Sequence, residues 1–254
     1  MGKVEKDNGK SSKKRIWLLL AVIAVAAAAA VIFFMKSRTE NAVFSVDGQP
    51  VYKEEAACVV SKIKLHQREK IAAKAGIDIS DFTWETEAEG KTAYEHLADA
   101  VVDELKQMKT MQKEAMDNGL ADAIDYPSLM EAMEKENKDR EKKKGNNETV
   151  FGMTRYTADQ FYDYFNENLS LQNKRELIKK EVLTASDKEA RAAYDADPDY
   201  FNNEEYETVE TYAKNLVLDR KYEEHLHEMA EAAKVEIPSE KALVQAVKDA
   251  LEGK

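Results

Sequence analysis

An uncharged apolar run occupies positions 16–35, bounded by Arg15 and Lys36. At about 1.5 Å rise per residue, a helix of this length spans the roughly 30 Å hydrocarbon core of a bilayer. The flank before it carries Lys3, Lys6, Lys10, Lys13, Lys14 and Arg15 against Glu5 and Asp7. Basic flanks are retained in the cytoplasm, so 1–15 is predicted to be a cytoplasmic tail and 16–35 a single-pass transmembrane helix. Residues 36–254 are then extracytoplasmic, beginning with a linker over 36–41. The competing interpretation is a cleaved signal peptide, for which 26–30 supplies small residues. Val31, Ile32, Phe33 and Phe34 carry the run beyond a typical signal core and favour the anchor.

Six basic and two acidic residues precede the run, so the exported part keeps 32 of the 38 Lys and Arg and 47 of the 49 Asp and Glu, a net charge of −15. Such a surface is not attracted to anionic lipid, and it argues against nucleic acid as a partner. A hydrophobic fraction of 43% is too high for wholesale disorder, and nine Gly with four Pro are few for an all-β chain. One cysteine excludes a disulfide framework, so an exported domain of this kind rests on packing alone.

Periodicity and turn chemistry predict a mainly α body. Residues 41–46 and 49–51 form short extended pieces around Asp47-Gly48, a strong turn signal. A helix over 53–74 places Ala56, Val60, Ile63 and Ile71 on one side, with Gly76 beyond its end. Positions 76–90 make a polar connection. Thr92 and Glu95 form a capping box that opens a helix with the stripe Tyr94, Leu97, Val101, Leu105, Met108 and Ala115. A third helix after Pro127 runs out into the almost entirely charged stretch 134–144, expected to be a solvated end that is free to fray. Thr157 with Gln160, and Ser186 with Glu189, cap a long and a short helix. A further helix over 204–233, the alternating Val235-Glu236-Ile237 and an amphipathic helix within 238–254 complete the chain.

This order of elements resembles the SurA/PrsA-type extracytoplasmic foldases in their N-terminal chaperone module. The resemblance is carried by Val-Asp-Gly-Gln-Pro-Val at 46–51, Ala-Val-Val-Asp-Glu-Leu-Lys at 100–106 and Glu-Ala-Met-Asp-Asn-Gly-Leu at 114–120. Val-Leu-Thr-Ala-Ser-Asp-Lys-Glu-Ala-Arg-Ala-Ala-Tyr at 182–194 adds to it, and together the similarity covers about 42–237. It implies a SurA-N-like helical chaperone domain over 42–237, with 238–254 as a separate C-terminal helix. It also implies a minimal β-pairing of the domain's two ends, Val43–Val46 against Val235–Ile237. Catalytic relatives insert a parvulin-type prolyl isomerase after the Tyr194 helix. Here Pro198-Asp199-Tyr200-Phe201 runs almost directly into the closing helix, so the insert is missing.

No residue is assigned a catalytic or metal-ligating role, and no cofactor is implied. His225 and His227 lie about 200° apart around a helix and are expected to be solvated, as are the paired glutamates nearby. Cys58 is expected to be a small core residue. The aromatic group around 151–165 is the one candidate site. Phe161 and Phe165 are expected in the core, whereas Phe151, Met153, Tyr156 and Tyr162 are expected to contact peptide, with Met108, Met111, Met130 and Met133 lining an adaptable groove. The expected function is a membrane-anchored chaperone, a holdase for unfolded or partly folded secreted polypeptides, with no enzymatic activity. The alternatives are a helical adaptor docking one membrane or envelope partner, and a divergent prolyl isomerase.

Overall fold

The computed structural model describes residues 42–253. The predicted tail, anchor and linker, 1–41, lie outside the described residues, and among those described no helix is long and apolar enough to cross a membrane.

Asp47 and Gly48 both adopt positive φ, 47° and 76°, as a two-residue hairpin turn requires. They join strand β1 (Ala42–Val46) to β2 (Gln49–Tyr52). A third strand, β5 (Val235–Glu236), pairs antiparallel with β1 in the order β2-β1-β5, with Val46 opposite Val235. The turn itself fastens this pairing. The Asp47 N–H donates to the Lys234 carbonyl at 2.8 Å, and the Lys234 N–H donates to Asp47 Oδ1 at 2.9 Å. The two ends of the domain therefore meet in a small sheet.

Seven α-helices make up most of the described residues: α1 (Lys53–Ala75), α2 (Ala93–Asp117), α3 (Tyr126–Gly145), α4 (Ala158–Lys179), α5 (Asp187–Ala196), α6 (Tyr206–Ala232) and α7 (Glu240–Glu252). The Thr92 capping box forms as expected. The Thr92 N–H donates to Glu95 Oε2 at 2.7 Å, and the Glu95 N–H donates to Thr92 Oγ1 at 3.3 Å. Before it, the expected polar connection contains a hairpin, β3 (Glu87–Ala88) and β4 (Lys91–Thr92), turned by Glu89 and Gly90 at positive φ. Pro198–Phe201 forms a 3-10 turn between α5 and α6.

One core draws on both ends of the domain: Phe44, Val46 and Val51 from the strands, Val59 and Val60 from α1, Leu97, Val101 and Leu105 from α2, and Leu243 and Val247 from α7. The terminal helix, expected as a separate piece, thus packs into the main body. The charged end of α3 is largely solvated, as expected, and stays helical to Gly145, where two of its side chains hold the following loop. Asn137 Nδ2 donates to the Tyr156 carbonyl at 3.0 Å, and the Tyr156 N–H donates to Asn137 Oδ1 at 2.8 Å. Arg140 Nη1 donates to the carbonyls of Phe151 and Met153.

Candidate functional site

Helix α2 is the central element, and polar side chains attach its neighbours to it. Lys109 and Glu55 of α1 are both almost fully enclosed, 1% and 0% exposed, and pair at 2.6 Å. The Tyr162 hydroxyl of α4 donates to the same Glu55 Oε1 at 2.7 Å. Burial, together with the Glu55 charge, pushes the Tyr162 phenol well above its ordinary pKa, so it stays a donor. One turn on, Gln112 Nε2 donates to Asn166 Oδ1 at 2.7 Å. Further along, Asn173 Nδ2 donates to Glu114 Oε2 at 2.6 Å, and Glu114 Oε1 meets His225 Nε2 of α6 at 2.7 Å. His225, expected to be solvated, is instead part of this polar seam.

Between α4 and α6 the seam leaves an open cleft of about 390 Å³. Its floor is the α2 face carrying Met108 and Met111, residues that fall on one side at helical spacing. Asn166, Ser170 and Leu171 of α4 form one wall, and Tyr222 and Leu226 of α6 the other. A Lys174–Asp219 ion pair bridges the walls. The remaining charges on the rim are Lys62, Glu104, Asp163 and Glu167. Asp163 is held above the ordinary carboxylate range, mainly by burial and against the pull of Lys62. An apolar, polarizable floor inside a charged rim can accept side chains of varied shape while excluding little else.

The four residues expected to contact peptide separate into two pairs. Phe151 is 85% exposed and Met153 half-exposed, on the loop that Arg140 holds. Tyr156 is buried against Phe161, its ring covered by the Arg140 guanidinium at 4.8 Å. Tyr162 is 0% exposed. A client-contacting role for these two tyrosines is therefore corrected: Tyr162, Asn166, Leu169, Asn173 and Leu177 form the buried face of α4, continuous at spacings of three and four. Phe161 and the half-buried Phe165 flank that face, as expected of core residues. Of the four methionines expected in a groove, Met108 and Met111 border the cleft, although Met111 is only 4% exposed and clusters with Ala115, Ile124 and Leu169, while Met130 and Met133 pack against Tyr156 and Phe161.

The glutamate, lysine and glutamine of the polar seam carry no sequence motif of their own. Their signal was faint but present: Lys109 and Gln112 continue the Leu97–Val101–Leu105 stripe of α2 at spacings of four and three. Cys58 sits in the core as expected. Burial pushes its thiol up to about 12, which leaves no reactive thiolate. No group of three or more acidic, histidine or cysteine side chains among the described residues could hold a metal ion.

Fold and site together define a mainly helical domain, closed by a three-stranded sheet, with an open methionine-floored cleft. No protein-family model matches the chain, and no curated protein or solved structure matches it either.

Proposed function

We propose that this is a membrane-anchored holdase whose cleft between α4 and α6 takes up short apolar segments of non-native exported polypeptides. The observation that carries the reading is the open cleft bordered by the partly buried Met108 and the half-exposed Leu171, with the buried Met111 beneath. Methionine repacks at low cost around unlike partners, which suits a site that must accept many sequences. A client side-chain cluster burying on the order of 200 Å² of apolar surface would gain about 5 kcal/mol. Association entropy offsets most of that, so binding is weak and release needs no chemistry. Phe151 and Met153 add a second exposed apolar contact on the α3–α4 loop. The order of elements resembling the SurA/PrsA-type foldases supports the same reading, as does the anchor expected at 16–35, which would hold the domain outside the membrane.

Suppression of aggregation of a reduced, unfolded client tests this. Wild-type chain should suppress, Leu171→Glu should abolish most of the effect without lowering Tm, and Phe151→Ala should weaken it partly. Full suppression by Leu171→Glu, or none by the wild type, would leave a dedicated adaptor as the better account.

A further inference from the structure

We infer that the cleft selects segments in which a lysine or arginine accompanies apolar side chains, an inference that rests on the cleft being the client site. The rim is unevenly charged. Glu104, Asp163, Glu167 and Asp219 share the rim with Lys62 and Lys174. Lys174 is already engaged by Asp219. Lys62 acts on Asp163 from α1. Glu104 and Glu167, on facing helices, form no ion pair among the described residues, so two carboxylates flank the cleft without a cation. A client ammonium or guanidinium entering above Met108 and Met111 would supply one, while an acidic segment would add like charge to a rim already in excess.

Two further observations point the same way. Two other cavities, of about 510 Å³ between α1, α2 and α6 and about 580 Å³ beside α5 and α6, are each acidic by one charge, with Asp103, Glu104 and Glu231 against Lys70 and Lys106 in the first and Glu189, Asp197 and Glu224 against Arg220 and Lys221 in the second. The acidic excess is thus larger at the methionine-floored cleft, where four carboxylates meet two lysines, than at either of the other two. At longer range the exported part carries −15, which steers cationic segments toward the domain before any contact forms. Apolar floor and carboxylate rim together describe an occupant that is amphipathic and basic.

The full 254-residue chain in zwitterionic phosphatidylcholine nanodiscs, with empty nanodiscs as the blank, provides the test. Two labelled peptides of equal length and equal leucine content, one with lysines and one with glutamates, are titrated by fluorescence anisotropy. The lysine peptide should bind and the glutamate peptide bind at least about tenfold more weakly. Glu104→Gln with Glu167→Gln should remove most of that difference. Glu131→Gln with Glu134→Gln, which deletes the same charge from exposed positions of α3 outside the cleft, should leave it in place. Equal binding of both peptides, abolished by Leu171→Glu, would overturn the selectivity and keep the cleft as the client site. Binding of neither peptide would overturn both. Equal weakening by the two double variants would assign the preference to net charge and overturn the selectivity of the cleft.

Discussion

Lys109 lies in the interior with Glu55 as its counter-charge, and the Tyr162 hydroxyl completes the group. Two charges withdrawn from water are tolerated because each is the other's counter-charge, while Glu55 Oε2 is buried without a hydrogen-bond partner, so the pair specifies how α1, α2 and α4 meet more than it adds net stability. Removing one partner is the costly change. Glu55→Gln should destabilise the domain by about 3–5 kcal/mol, since it strands a buried ammonium. Glu55→Leu combined with Lys109→Met should recover most of that loss. Urea denaturation of the single and double variants measures both, and a cost below about 1 kcal/mol for Glu55→Gln would show that water reaches the pair. This triad also marks where reading by residue type stops. Glu55 stands beside Glu54 in a charged first turn, and Lys109 beside Met108, so neither looks buried in isolation. Their burial follows from partners on other helices, which local pattern does not carry. Tyr162 shows the same limit by a shift of one position. Phe161 and Phe165 are the more apolar pair, yet the buried face of α4 runs through Tyr162, whose hydroxyl finds an acceptor in Glu55.

At the scale of elements, local chemistry was the legible part. Capping boxes at Thr92 and Ser186, the Asp47-Gly48 turn and the Gly76 stop are short-range signals, and each appears where the residues place it. The β3–β4 hairpin was missed because Glu-Gly is a weaker turn pair than Asn-Gly or Asp-Gly. The end of α3 is solvated as its charges imply, but that it stays ordered depends on the backbone of a loop, which local pattern does not carry. Helix α5 gives an element-level prediction. Its third residue, Glu189, accepts from the Ser186 N–H and hydroxyl at 2.8 and 2.7 Å and meets Lys221 of α6 at 2.6 Å. The Lys221 ammonium first, and the cap second, hold its carboxyl down at about 2. A depressed carboxylate contributes stability above its ordinary range and loses it as pH falls toward the folded-state value. Glu189→Gln should therefore lower Tm at pH 7, with the difference from wild type shrinking between about pH 4.5 and pH 2. The site is exposed, so the effect should be small and fall further in high salt. A Tm difference that stays constant across that range would assign the role to the neutral cap alone.

For the whole molecule, the core joins the first strand to the last helix, and the domain should stand or fall as a unit. Residues 36–254 without the preceding run should give a helical circular dichroism spectrum and one cooperative melt. The same segment ending at Lys234 lacks β5 and α7, and with them the side chains that cover Val46 and enclose Leu97 and Val101; it should lose the cooperative transition. A sharp melt in the shortened segment would mean that α1–α6 carry the stability alone.

That closure also sets an order of events. A chain delivered with its N-terminus first releases Phe44, Val46 and Val51 early, and their partners Val235, Leu243 and Val247 arrive only after nearly two hundred further residues. Local helices can form in the interval, but the long-range loop closes late and its entropy cost falls due at the end. During synthesis the domain must itself pass through a state with uncovered apolar strands, the kind of surface its cleft is proposed to protect. A nascent chain halted before Val247 cannot complete this core, so folding reports that elongation has proceeded that far.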